Sequence, residues 1–190
     1  MTMSEETPRK LVVFLLFIPL AIVAAGVFGM LHDQLSITVS PEYFLRYKFL
    51  QFHLPGGAAA PRLGAAIVGF KASWWMGIPV GVLAGAAGFI HPTARAMRHA
   101  LLWSMPVIMA ITAAASLTGL FYGWFHTATI NPADYQGWFV PPGLVQLRNY
   151  LTVGYMHNAT YLGGLLAIPG AWLFHFLWRR RHAATGLPPV

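Results

Sequence analysis

Four long apolar stretches dominate this chain, at about residues 11–31, 64–90, 100–125 and 151–178. Each is long enough to cross the hydrocarbon core of a bilayer, which requires about 20 apolar residues. Because lipid offers no hydrogen-bond partners, the backbone of a spanning segment must satisfy its own polar groups, which favours α-helices. The sequence therefore predicts an all-α integral membrane protein, a four-helix transmembrane bundle that forms a single membrane domain over residues 1–190.

The composition supports a lipid environment and argues against a nucleic-acid partner. Hydrophobic residues make up 57% of the chain and charged residues only 9%, whereas soluble domains carry about 25% charged residues. The net charge of +7 comes largely from basic residues at the ends of the apolar stretches, where they set topology. The chain has no cysteine, which excludes disulfides, iron–sulfur clusters and cysteine-based zinc sites.

The basic residues also predict an orientation. Three segments that must share one side of the membrane hold seven of the twelve Lys and Arg residues: Arg9, Lys10, Arg95, Arg98, Arg179, Arg180 and Arg181. Cytoplasmic flanks are enriched in such residues. We therefore expect a bacterial inner-membrane protein with both termini in the cytoplasm and two outer loops, 32–63 and 126–150.

A short interfacial helix is predicted after the first span. Ser40, Pro41 and Glu42 form a typical helix start, with a capping serine, a proline at the first helical position and an acidic residue in the first turn. The residues that follow, 43–52, are rich in Tyr and Phe and carry two cations. Such a segment suits the headgroup region, where aromatic rings bury and cations reach water.

Small residues recur at intervals of four in the spans. One series runs through Ala21, Ala25 and Gly29, and a second through positions 69, 73, 77, 81 and 85. Such stripes let helix backbones approach closely in a membrane. Asp33 is the next position of the first series, so it would face the protein interior if the helix continues for one more turn.

The residues suited to chemistry collect near the outer ends of the spans. The candidate metal ligands are His32, Asp33, Glu42, His126 and His157. Imidazoles and carboxylates without cysteine suit a divalent transition metal, namely zinc, copper, iron or manganese. Contacts around such a metal or a small polar ligand are predicted for Asn158, Tyr161 and Lys71. A metal with an open coordination position would also be able to activate water or support oxygen chemistry.

Lys71 has two interpretations. It is the one cation inside a span, and the neighbouring Trp74 and Trp75 are typical of membrane interfaces. In one interpretation its ammonium group reaches the headgroup region. In the other it pairs with Asp33 or Glu42, or binds an anion at the mouth of a pocket.

Three other functions stay open at this point. His91, His99 and His175 lie toward the inner face, and paired histidines can hold haem, although no haem-family motif is present. A structural interpretation is a non-catalytic accessory subunit or homo-oligomer that packs through its glycine stripes in a larger membrane complex. A small transporter is the third. The leading hypothesis is a membrane protein whose outer pocket of His, Asp and Glu binds a metal ion or small polar ligand.

Overall fold

A computed structural model describes residues 3–185 of the chain. Within that range the regular structure is helical throughout, without strands. The five longest helices are α1 (Met3–Val39), α2 (Pro61–Ser73), α3 (Gly77–Ala86), α4 (Ala94–His126) and α5 (Leu147–Thr185). Four helical stretches are long and apolar enough to cross a membrane: Glu6–Val39, Pro61–Ile90, Ala94–His126 and Leu147–His182. The prediction of an all-helical chain with four candidate spans is confirmed at this level.

The first span extends eight residues beyond its predicted end at Leu31. Helix α1 continues to Val39, and Ser40 then adopts an extended conformation with φ −141° and ψ 93°. The residue before a proline is disfavoured in the helical region, so Pro41 sets this boundary. The extension means that His32 and Asp33 lie inside a helix and not in a loop.

The segment 41–51 is helical, as expected, but it is not a uniform α-helix. It consists of an α-helical turn (Pro41–Tyr43), a π-helical turn (Phe44–Lys48) and a second α-helical turn (Phe49–Gln51). The Ser40 side chain accepts a hydrogen bond from the Tyr43 backbone N–H at 3.3 Å, which confirms the predicted serine cap. The wider turn at its centre explains why the aromatic residues follow neither a helical nor a strand period.

The second span is divided into four pieces. Short 3-10 helices, Trp74–Met76 and Ala87–Ile90, follow α2 and α3 respectively. The span ends where His91, with φ −75° and ψ 147°, precedes Pro92. Shorter 3-10 turns also occur at Pro55–Ala58 and Pro132–Tyr135.

The chain forms two compact units. The first draws on the ranges Met1–Ala25, Trp74–Ala113 and Leu162–Val190, and the second on Gly26–Ser73 and Ala114–Tyr161. In the second unit, Phe44, Phe49, Tyr150 and other aromatic and aliphatic side chains share one buried cluster. The first unit contains two smaller clusters, one around Val80, Ala84 and Ile108, and the other formed by Phe17, Met97 and Leu101. The prediction of one membrane domain stays a prediction.

The small-residue stripes pack within the chain. In the second unit, a Cβ atom on Gly69 would lie 2.9 Å from the Met30 backbone nitrogen and closer still to the Gly29 carbonyl oxygen. In the first unit, a Cβ atom on Gly81 would lie 3.1 Å from the Ala21 side chain. The glycines at 69, 77, 81 and 85 are all buried. The stripe of the second span therefore serves contacts with α1, and the predicted homo-oligomer or larger complex stays a prediction.

Candidate metal centre

Three of the predicted ligands meet in the second unit. His32 and Asp33 are neighbours on α1, and His157 lies on α5. One potential ligand atom from each of these residues lies within 4.8 Å of the other two. The His32 Nδ1 atom is 2.9 Å from Asp33 Oδ1, and the His157 Nε2 atom is 3.6 Å from the same oxygen. Asp33 is 2% exposed and His157 is 8% exposed, so the group is shielded from its surroundings.

A chain of hydrogen bonds determines which ring nitrogen of His32 carries the proton when the imidazole is neutral. The hydroxyl of Thr160 donates to the Met156 carbonyl oxygen at 2.7 Å. That hydroxyl has a single proton, so its 3.0 Å contact with His32 Nε2 requires the imidazole N–H to donate. The Nδ1 atom, which faces Asp33, is therefore protonated only when the imidazole is cationic. A neutral His32 would instead direct a lone pair at the carboxylate.

Two further atoms in the group lack partners. Among the described residues, neither Asp33 Oδ2 nor His157 Nε2 has a hydrogen-bond partner, although both atoms are buried. A buried carboxylate oxygen without a partner is costly. The group thus brings electron-rich atoms together without enough hydrogen-bond donors for them. Either a metal cation or additional protons would supply the missing partners.

Aromatic rings hold the two histidines in place. The His157 ring stacks on Tyr43 with ring centroids 5.0 Å apart and an interplanar angle of 28°. It meets His32 edge-on at 4.7 Å, and the His32 ring also stacks on Phe28 at 6.2 Å. Because these contacts restrict rotation of both imidazoles, the directions of their nitrogen atoms are largely set before any ligand binds.

The segment 41–51 adds a positive charge and a neutral phenol near the group. Burial lowers the pKa of Lys48, and the nearby Asp33 carboxylate opposes that effect. Burial, followed by the neighbouring Tyr47, Tyr150 and Asp33, raises the pKa of Tyr43. Tyr43 therefore keeps its proton and contacts the group as a neutral ring.

The structure places the other two predicted ligands elsewhere. The two carboxylate oxygens of Glu42 accept hydrogen bonds from the backbone N–H groups of Val145 and Gln146, at 2.9 and 2.7 Å. A carboxylate there complements the positive end of α5, which begins at the next residue. His126 is exposed and stacks on Tyr122 with ring centroids 5.2 Å apart. Neither side chain belongs to the group formed by His32, Asp33 and His157.

The predicted surrounding residues also have separate positions. The Tyr161 hydroxyl donates to the Ala72 carbonyl oxygen at 3.2 Å, and exposed Asn158 lines a neighbouring cavity. Lys71 is exposed and donates to the Phe52 carbonyl oxygen at 3.2 Å. This contact favours the interpretation in which the Lys71 ammonium group reaches outward, and no ion pair with Asp33 or Glu42 is found within the described part of the chain.

Two side chains that support the group were missed in the sequence. Thr160 lies three positions after His157, and Ser36 lies four positions after His32, where its hydroxyl contacts the His32 carbonyl oxygen at 3.1 Å. Both spacings place a residue on the same helix face as the histidine. Helical periodicity would have identified Ser36 if the end of α1 had been placed correctly, and it already placed Thr160 on the same face as His157 within the predicted fourth stretch.

The inner histidines form a separate contact in the first unit. His91 Nε2 and His175 Nδ1 lie 2.8 Å apart and are both buried. Because these nitrogens bond to each other, they do not form a pair of axial ligands on opposite sides of a haem iron. His99 packs against Trp178 instead, with ring centroids 6.0 Å apart.

Comparison with known proteins gives no independent guide to function. No protein-family model, no curated protein and no solved structure matches this chain.

Proposed function

We propose that this chain is an integral membrane protein, a four-helix bundle that binds one divalent transition metal ion through His32, Asp33 and His157. The observation that supports the proposal is the convergence of three ligand atoms within 4.8 Å of one another, two of them on the buried residues Asp33 and His157. In a membrane-spanning segment, a buried carboxylate beside two imidazoles is rare and marks a functional site by default.

The distances suit a metal with short bonds. Bonds of about 2.0–2.2 Å in a tetrahedral site place neighbouring ligand atoms about 3.4 Å apart. The 3.6 Å separation of His157 Nε2 and Asp33 Oδ1 is close to that value. The 2.9 Å contact between His32 Nδ1 and Asp33 Oδ1 would lengthen slightly as the metal replaces the shared proton. His32 Nε2–H would keep its hydrogen bond to Thr160, which is the usual way that a second contact orients a metal-binding imidazole.

The three side chains limit which metals the site would bind. Two histidines and one carboxylate suit zinc or non-haem iron, and copper and manganese also accept these donors. Three protein ligands leave a position for water or a substrate. A metal there would lower the pKa of bound water and polarise a bound oxygen atom.

We also propose an orientation of the chain in the membrane. The distribution of Lys and Arg supports a bacterial inner-membrane protein with both termini in the cytoplasm. The residues 32–63 and 126–150 would then belong to the outer side, with the segment 41–51 at the membrane interface. The metal would be reached from that side.

The test is the metal content of detergent-purified protein, measured by elemental analysis for the wild type and for His157→Phe. Phenylalanine keeps an aromatic ring beside Tyr43 and removes both ring nitrogens. We expect about one metal ion per chain in the wild type and less than about a tenth of that in the variant, since the site would lose one of its three protein ligands. Exposed His53 adopts φ 51°, which asparagine tolerates, so His53→Asn is the matched control and should keep full metal content.

Two results would contradict the metal centre. One is equal metal content in the wild type and His157→Phe. The other is metal-free wild type after growth and reconstitution with each of the four metals. The second result would leave the hydrogen bond between His32 and Asp33 without a metal.

A further inference from the structure

The cavity beside the candidate centre lies in the same unit and is lined mainly by aromatic residues. It is open to its surroundings, has a volume of about 210 Å³, and its walls include Tyr43, Tyr47, Trp138, Phe139, Tyr150 and Asn158. A space of about 150 Å³ is sufficient to hold benzene. This cavity therefore has room for one substituted six-membered ring, and its lining offers polar as well as apolar atoms.

The walls are fixed by contacts among themselves. The Tyr47 and Phe139 rings lie 4.9 Å apart at 33°, and the Tyr150 hydroxyl donates to the Phe139 carbonyl oxygen at 2.6 Å. Trp138 lies directly against Gly154, where a Cβ atom would overlap the indole ring. Because the aromatic side chains are already held, a ligand that enters between them loses little free energy to side-chain ordering.

Charge argues against a cationic ligand, although aromatic walls often bind cations. The Lys48 ammonium group already lies over these rings, 4.6 Å from the Tyr47 centroid and 5.5 Å from the Tyr43 centroid. A second cation would be repelled by it. A neutral ring avoids that repulsion and gains stacking contacts with the walls.

Asn158 supplies the polar contact. Its side chain is exposed where it lines the cavity, and its amide offers both donors and an acceptor. A hydroxyl group on the ligand ring is able to use both functions at once. Tyr43 connects this cavity to the candidate centre, because the same ring lines the cavity and stacks on His157 at 5.0 Å.

We propose that this cavity binds a neutral hydroxylated aromatic ring, of the phenol or hydroquinone type. The ring would stack between aromatic walls and bond to Asn158 through its hydroxyl group. Such rings occur both as lipid-soluble hydroquinones with apolar tails and as small water-soluble phenols. The inference depends on the cavity walls and does not require a metal at His157.

The test is calorimetric titration of detergent-purified full-length protein with four probes: decyl-substituted hydroquinone, plain hydroquinone, decylbenzene and choline. We expect one site for the decyl hydroquinone and at least tenfold weaker binding of decylbenzene, which lacks the hydroxyl groups. Binding of plain hydroquinone at similar strength would identify a water-soluble source, and its loss would identify a lipid-phase source. Binding of choline instead, equal binding of decylbenzene, or no binding of either hydroquinone would overturn the proposal.

Two alanine variants test whether hydroquinone binds in this cavity. Phe139 is 61% exposed, so Phe139→Ala removes a wall with little cost to folding, and we expect at least a tenfold loss of hydroquinone affinity. Phe125 is 74% exposed and does not line the cavity, so Phe125→Ala is the control and should bind like the wild type. Equal affinity in both variants would place the ligand elsewhere and overturn the proposal.

Metal content is measured on the same preparations. Protein without metal that still binds hydroquinone contradicts the metal centre alone. Metal-loaded protein that does not bind hydroquinone contradicts the cavity proposal alone.

Discussion

At the residue scale, Asp33 is a buried carboxyl group with an incomplete set of hydrogen-bond partners among the described residues. An ionised carboxylate removed from water costs several kcal/mol unless charges and donors compensate it. His32 supplies one contact at 2.9 Å, while Asp33 Oδ2 has no hydrogen-bond partner among the described residues. The compensation is thus incomplete, and either a metal cation or an additional proton would complete it.

His91 permits a residue-scale prediction in the first unit. Burial, reinforced by the positive charges of Arg179 and Lys10 and by His182, lowers the pKa of His91 to about 4. The unfolded chain binds a proton at its ordinary value of about 6.5, whereas the folded chain does not, so protonation favours unfolding as the pH falls from about 6.5 to 4. Above pH 6.5 this contribution to stability is fully present.

The prediction is tested by thermal unfolding in detergent at several pH values. We expect the wild type to lose stability between pH 6.5 and 4, with a slope of at most about 1.4 kcal/mol per pH unit for this group. In His91→Asn the loss over this range should be smaller. His53→Asn serves as the control and should follow the wild-type profile. Parallel profiles for the wild type and His91→Asn would contradict the assigned pKa shift.

At the element scale, the close approach of α1 and α2 defines the packing of the second unit. Gly29 and Gly69 face each other so closely that a Cβ atom on either would overlap the backbone of the other. Backbone cannot move aside as a flexible side chain does. The four-residue spacing of small residues therefore correctly predicted a close contact between helices, because small side chains let two backbones approach each other.

Gly69→Ala tests this contact. The added methyl group should force the two helices apart and lower the free energy of unfolding by roughly 1–3 kcal/mol, as overpacking commonly does. Gly56 has no atom within 4 Å of the position that a Cβ would occupy, so Gly56→Ala should be neutral or slightly stabilising. Thermal midpoints of both variants in the same detergent give the comparison. Equal midpoints would show that the two helices do not pack at this distance.

Sequence periodicity predicted these helices better than it predicted the site. The apolar stretches located all four candidate spans, and the series Ala21, Ala25 and Gly29 correctly placed Asp33 in the interior, where it is 2% exposed. Of the five ligands predicted from the sequence, the structure brings three together, His32, Asp33 and His157. Whether Glu42 caps α5 or joins the histidines depends on how distant segments meet, which one-dimensional spacing does not encode.

At the scale of the whole molecule, the proposed membrane topology rests on two separate features of the sequence. The four apolar stretches set the proposed number of crossings, and the distribution of Lys and Arg residues sets the proposed side of each connection. An even number of crossings would place both termini on one side, whichever side that is.

Cysteine labelling tests both features, because the native chain has no cysteine. Ala59, Ala128 and Pro92 are all exposed and represent the two predicted outer loops and the predicted inner turn. A membrane-impermeant maleimide added to intact bacterial cells should modify Ala59→Cys and Ala128→Cys, whereas Pro92→Cys should react only after permeabilisation. The cysteine-free parent gives the background. Labelling of Pro92→Cys alone would show that the orientation is the reverse of the predicted one. Labelling of only one of the two outer positions would contradict the predicted number of crossings between them.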